Sequence, residues 1–136
     1  MANTKTGIAR YTNLIIIIAV CLILAAAVML LPKGFSDDVS KIGQGSVVLV
    51  LTHDKNTVGG MLAMDMLNKV RSDYENRVEF LAVDVNTVQG RAFIRQQGVV
   101  SVVLVLFGRD GSKQSVLNAG ISEKELRVAL DDVLSR

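Results

Sequence analysis

The side chains with the most reactive potential in this sequence are His53 and Asp54, which directly follow an apolar run that ends at Thr52. His53 is the only histidine, and an imidazole beside a carboxylate can act as a general base with an orienting partner. Neighbouring residues at the end of a strand usually point in opposite directions, and no motif places a serine or cysteine nucleophile nearby. We therefore predict a solvated loop histidine, and an enzyme site at this pair is the least favoured hypothesis.

Two glycines and three methionines that follow His53 and Asp54 are further candidates for a binding site. Gly59 and Gly60 are compatible with an anion at a helix start, but neither nucleotide-binding glycine motif occurs, so close backbone approach is the favoured interpretation. Met61, Met64 and Met66 could line a soft groove for a partner or bind Cu(I) through their thioethers. Packing on the core or its rim is favoured for methionines of an amphipathic helix. We thus predict no cofactor and no metal site.

Cysteine content and charge exclude two further classes of function. The only cysteine, Cys21, lies in the N-terminal apolar run, so no intrachain disulfide is possible and the hydrophilic part of the chain has no thiol. The formal charge of +2 comes from Lys5 and Arg10, because residues 33–136 carry thirteen basic and thirteen acidic side chains. Nucleic-acid binding requires concentrated positive charge, so nucleic acid is not an expected partner.

An uncharged apolar run over residues 14–31 predicts contact with a lipid bilayer. As a helix it would span roughly 27 Å, close to the ~30 Å thickness of a bilayer's hydrocarbon core. Lys5 and Arg10 precede the run, whereas the basic residues after it are mixed with acidic ones, so the positive-inside bias places the N-terminus in the cytoplasm. Signal-peptide cleavage after Ala27 is an alternative, although the apolar run continues past that point.

The chain is therefore predicted to have four parts and one membrane-spanning helix. The C-terminal domain is expected to be extracytoplasmic, in the periplasm or an equivalent compartment. The parts are a cytoplasmic tail (1–13), a transmembrane helix (14–32), a linker (33–46) and an α/β domain (47–136).

Within the domain, the apolar run 47–51 is typical of a strand that is covered on both faces. A capping box, Ser122 to Glu125, predicts the start of the last helix. The predicted strands are 47–52, 78–85, 102–107 and 113–117; the predicted helices are 58–73, one that runs from a cap at Asn86–Thr87 to Gln97, and one after Ser122. Residues 108–111 are predicted to form a hairpin turn. The buried face of the first helix is expected to comprise Leu62, Met66, Leu67, Val70 and Tyr74.

This order of elements, β-α-β-α-β-β-α, resembles the thioredoxin fold from residue 47 to the C-terminus, without that family's first strand and helix. Residues 80–86 resemble the family's aspartate-bearing second strand, and residues 97–104 resemble its Tyr-Gly-Ile-Arg-Gly-Ile-Pro-Thr segment. The family's cis-proline falls on Val103. A cis bond before a residue other than proline costs about 2.5–4 kcal/mol, so we expect a trans bond here.

The family's Cys-Gly-Pro-Cys motif falls on Thr57, Val58, Gly59 and Gly60, so both redox sulfurs are absent and thiol oxidoreductase chemistry is excluded. The resemblance then implies a redox-inactive interaction module that is not an enzyme. The leading hypothesis is an accessory subunit or assembly factor of a membrane protein complex; the alternative is a client-binding or chaperone module that assists a separate thiol-redox enzyme. The family's peptide-binding edge predicts the partner surface, which comprises Thr57, Val58, Gly59, Gly60, Met61, Ser101, Val102 and Val103.

Overall fold

The computed structural model describes residues 4–31 and 33–136, with side chains from residue 11 onward. The first three residues of the predicted tail and Pro32, the last residue of the predicted transmembrane helix, lie outside the described residues. The chain forms two compact units, Met1–Gly34 and Phe35–Arg136, and each is described by itself.

The first unit contains one long helix, α1 (Thr4–Leu30). Its segment Tyr11–Leu30 is long and apolar enough to cross a membrane, and these side chains are exposed. The predicted apolar helix is therefore confirmed. It begins ten residues earlier than expected, within the predicted tail, because no proline interrupts the polar residues and the single Gly7 costs only about 1 kcal/mol in a helix interior.

The second unit is a four-stranded mixed sheet with helices on both faces. The strand order is β2-β1-β3-β4; β1 and β2 are parallel, whereas β1–β3 and β3–β4 are antiparallel. This confirms the predicted mixed α/β architecture. The elements in chain order are β1 (Val47–His53), α2 (Val58–Tyr74), β2 (Val78–Asp84), α3 (Val88–Gln97), β3 (Val103–Phe107), β4 (Lys113–Asn118) and α4 (Glu123–Leu134).

Strand β1 is buried on both faces, as its unbroken apolar sequence predicts. On one face Leu49 and Leu51 belong to a core cluster with residues of α2 and α4. On the other face Val48 and Val50 pack in a second cluster with Phe93 of α3. Alternate residues of one central strand thus connect two hydrophobic layers, which fixes the position of the end of β1.

The buried face of α2 differs from the predicted one. Leu62 is 66% exposed and Met66 is only partly buried. Positions four apart advance about 40° around a helix at each step, so the predicted stripe drifts off one face, whereas spacings that alternate between three and four stay on it. The residues that are buried follow the alternating spacing: Gly60, Ala63, Leu67, Val70 and Tyr74.

The segment predicted as a linker packs on the domain from Phe35 onward. Ser36 forms a parallel bridge to Leu81 of β2, and Val39–Lys41 forms a short 3-10 helix. Phe35 packs against the first core cluster, and Ile42 packs against the second. Residues 35–46 are therefore part of the compact unit rather than a free connection.

Candidate functional site

Three connections of the domain meet at one end of the sheet. His53, the last residue of β1, is paired with Asp84, the last residue of β2. Thr52 is paired with Val103, the first residue of β3. Because β1 and β2 are parallel and β3 is antiparallel to β1, the turn into α2, the turn into α3 and the residues before β3 all lie at this end. The predicted site residues belong to two of these connections.

The turn between β1 and α2 is held by a short hydrogen-bond network. Asp54 Oδ1 accepts from the Asn56 amide at 2.9 Å, and the Thr57 hydroxyl donates to the Asp54 carbonyl at 2.9 Å. Thr57 Oγ1 also accepts from the Gly60 amide at 3.1 Å, so Thr57 caps α2. A Cβ at Gly60 would overlap the Asp54 carbonyl oxygen. Thr57 and Gly60 are therefore required by the turn itself.

The turn between β2 and α3 repeats this geometry. Asp84 Oδ1 accepts from the Asn86 amide at 2.9 Å, and the Thr87 hydroxyl donates to the Asp84 carbonyl at 2.8 Å. Thr87 Oγ1 accepts from the Gly90 amide at 3.0 Å, and a Cβ at Gly90 would overlap the Asp84 carbonyl oxygen. Both helices thus start from the same strand-to-helix turn.

A sequence repeat that is not among the predicted motifs explains this similarity. Residues 54–60 and 84–90 both read Asp-x-Asn-Thr-Val-x-Gly. The aspartate closes the turn, the threonine caps the helix, and the glycine allows the close backbone approach. Alignment of the two segments that follow the first two predicted strands would have revealed the repeat.

Polar contacts join the two turns to each other. Asn86 Nδ2 donates to Asp54 Oδ1 at 2.9 Å, and Lys55 Nζ lies 3.4 Å from Asp84 Oδ2. The Val85 amide donates to the His53 carbonyl at 3.0 Å. The backbone amide of Asn86, assisted by Lys55, lowers the pKa of Asp84 below its ordinary value. The carboxylates of this surface are thus satisfied by neighbouring donors.

The residues before β3 are anchored by a buried hydroxyl. Thr52 Oγ1 accepts from the Val103 amide at 3.1 Å and lies 3.3 Å from the carbonyl oxygens of Val100 and Val103. Val102 has φ = 60°, a left-handed conformation that a β-branched residue rarely adopts. The bond between Val102 and Val103 is trans, which confirms the expectation from the sequence.

The predicted environment of His53 was wrong. His53 is the last residue of β1 and is only 8% exposed. It is buried because alternate side chains of a strand share a face, so His53 lies on the same side of the sheet as Leu49 and Leu51, the side that α2 covers. The Asp54 carboxylate is engaged by neighbouring amide donors, and His53 Nδ1 has no hydrogen-bond partner among the described residues. His53 lines a cavity of about 300 Å³ together with Lys55, Gly60, Met61, Met64, Asp65 and Asn68.

The residues predicted to form a partner surface differ in their exposure. Thr57, Gly59 and Ser101 are exposed and Val102 is partly buried, whereas Gly60 and Val103 are buried. The α2 apolar patch, defined as Val58, Met61 and Leu62, has side chains that are 57–67% exposed. Val100, next to Ser101, is 71% exposed. Leu62 and Val100 are thus exposed apolar residues that the prediction omitted.

No family model and no curated protein matches the chain. A solved structure described as "Structure of a malarial protein" is similar to it, with a TM-score of 0.57 and 17% sequence identity. The match covers 65% of this chain and 98% of that one. At this level of identity the similarity concerns the fold alone.

Proposed function

We propose that this chain is a single-pass membrane protein whose thioredoxin-like domain lacks thiol chemistry and docks a protein partner. Its role is that of an accessory subunit or assembly factor of a membrane protein complex. The β2-β1-β3-β4 order, with one parallel and two antiparallel pairs, supports this fold. The similarity at a TM-score of 0.57 supports a fold shared with a known structure.

The two turn residues at the family's cysteine positions support the absence of redox function. Thr57 caps α2 and Gly60 avoids the Asp54 carbonyl, so both positions serve the backbone. A hydroxyl ionises far above neutral pH and cannot replace a thiolate nucleophile. The single thiol, that of Cys21, lies on α1, outside the domain.

The α2 apolar patch is the main observation that supports docking of a partner. Val58, Met61 and Leu62 occupy the first turns of a helix whose opposite side already fills the core, so the domain does not bury them itself. Contiguous exposed apolar side chains are typical of interaction sites. Val100 is a further exposed apolar residue and lies before β3, in a second connection at the same end of the sheet. A partner that covers these side chains would remove them from water.

The apolar helix α1 and the charges of its flanks support the proposed location. The span Tyr11–Leu30 inserts in the bilayer, and the tail that contains Lys5 and Arg10 stays in the cytoplasm. The C-terminal domain then lies on the extracytoplasmic side. The partner is accordingly an integral membrane protein complex or an extracytoplasmic protein.

Docking is tested with the full chain in a mild detergent, by size and by the proteins that remain bound. We expect a complex much larger than the 14.7 kDa chain. Leu62→Glu should release the partner with a loss of affinity of about tenfold or more, because burial of one leucine contributes about 1.5–3 kcal/mol. Val128→Glu, at a side chain that is 63% exposed on α4, is the matched control and should keep the complex.

A wild-type chain that migrates alone, or an equal effect of Leu62→Glu and Val128→Glu, would contradict the docking proposal. Weak binding of many denatured polypeptides without one stoichiometric partner would favour the client-binding alternative instead.

A further inference from the structure

We propose that the cavity beside α2 binds one Cu(I) ion through His53, Met61 and Met64. These three residues line the same cavity of about 300 Å³, although they come from a strand and from a helix. Clusters of three or more His, Cys, Asp or Glu side chains with metal-binding potential are absent from the described residues, so the site depends on thioether sulfur.

The helix places both sulfur donors on the side that faces the cavity. Met61 and Met64 are three residues apart on α2, and such positions are neighbours on one helix face. Asp65 and Asn68 continue the same face along the cavity. Met64 is partly buried and packs against the first core cluster, which limits its mobility. Met66 packs there as well but does not line the cavity.

The histidine contributes an imidazole at the wall of the cavity. His53 is 8% exposed, and its Nδ1 has no hydrogen-bond partner among the residues that the structure describes. Since Nδ1 is itself buried, the ion would bind through Nε2 of the same ring. Neutral imidazole is also a common metal ligand.

The donor set selects the metal. Thioether ligands are soft and favour Cu(I), whereas Zn²⁺ sites use thiolates, several imidazoles or carboxylates. All three donors are neutral, which suits a monovalent ion. The charged residues that line the cavity are already compensated, since Lys55 pairs with Asp84 at 3.4 Å and Asp65 pairs with Lys69 at 3.1 Å.

Copper binding is tested by anaerobic titration of the full chain in detergent with Cu(I), in competition with a chromophoric Cu(I) chelator. The titration uses a Cys21→Ser background, because the free thiol of Cys21 would itself bind Cu(I). We expect one Cu(I) per chain and no Zn²⁺ binding. X-ray absorption at the copper edge should show nitrogen and two sulfur scatterers.

Matched methionine variants locate the site. Met64→Leu should weaken Cu(I) binding at least about tenfold, since even changes outside the ligand shell commonly cost 10–100-fold. Met66→Leu should leave the affinity unchanged. Both substitutions conserve side-chain volume, so both variants should remain folded. His53→Gln should also lose Cu(I), and thermal unfolding shows whether this variant is folded.

Binding without 1:1 stoichiometry, equal losses in Met64→Leu and Met66→Leu, or a copper shell without sulfur would overturn the copper proposal. Met61 belongs to both proposed sites, but copper binding and partner docking can be tested independently. Met64→Leu should lose copper and keep the partner, whereas Leu62→Glu should lose the partner and keep copper.

Discussion

Asn86 Nδ2 donates a 2.9 Å hydrogen bond to Asp54 Oδ1, and this contact joins the start of α2 to the start of α3. Asp54 already accepts from the Asn56 amide within its own turn. One carboxylate therefore serves both its own turn and the neighbouring one. A mutation at one helix start should therefore change the effect on stability of a mutation at the other.

Asn86→Ala and Asp54→Ala should show coupled losses of stability. A hydrogen bond of this kind contributes about 0.5–1.5 kcal/mol, and a double-mutant cycle isolates the pairwise part. The measurement is the free energy of unfolding in denaturant for the wild type, both single variants and the double variant. Strictly additive losses would mean that the turns are independent.

The repeated glycines should be intolerant of a single methyl group. Gly60→Ala and Gly90→Ala each place a Cβ on an aspartate carbonyl oxygen, and strain of this type commonly costs about 1–3 kcal/mol. Gly59→Ala is the matched control, because no atom lies within 4 Å of its added Cβ. That variant should be more stable than the wild type by up to about 1 kcal/mol, since alanine favours a helix. Thermal unfolding that ranked Gly60→Ala with Gly59→Ala would contradict the turn geometry.

The buried hydroxyl of Thr52 should be essential for the start of β3. Thr52→Val removes the acceptor of the Val103 amide, and a buried unpaired donor costs about 1–3 kcal/mol. Thr52→Ser keeps the hydroxyl and should lose less stability. Amide hydrogen exchange at Val103 provides a local readout, which should be faster in Thr52→Val only. Unchanged exchange in that variant would show that the contact does not protect the strand.

Asp84 should make stability depend on acid pH. Its pKa is lowered in the folded state by the Asn86 amide and by Lys55, so the charged form is favoured by folding. The resulting stability is fully present above the ordinary value of 3.8 and is lost as the pH falls through the lower folded value. Asp84→Asn should cost no more than about 1 kcal/mol at neutral pH. Unfolding curves of the two proteins should converge as the pH falls below 3.8, and a constant difference would contradict this assignment.

Local signals in the sequence predict most of the element boundaries. Ser122 and Glu125 form the expected capping box, and α3 ends at the predicted Gln97, followed by Gly98 in a left-handed conformation. Thr57 caps α2, and α2 begins at the predicted residue 58. Such signals act over a few residues, so they can be read without knowledge of the packing.

The environment of the candidate site depends on packing between elements. The burial of His53 follows from one additional residue in β1 and from the side of the sheet that α2 covers. The exposure of Leu62 follows from the rotation of α2, which buries Gly60 and Ala63 instead. The spacing of apolar residues alone specifies neither the face of the sheet that a crossover helix covers nor the rotation of that helix about its axis. The shared turn motif, by contrast, was available in the sequence.

The crowding at Gly60 also limits which side chains can be introduced at the start of α2. Thr57→Cys would remove the cap of α2, and Gly60→Cys would drive a side chain into the Asp54 carbonyl. A working dithiol could therefore not be grafted onto positions 57 and 60 by two substitutions alone. Introduction of a dithiol at these two positions would also require a new backbone path for the turn that begins at Asp54.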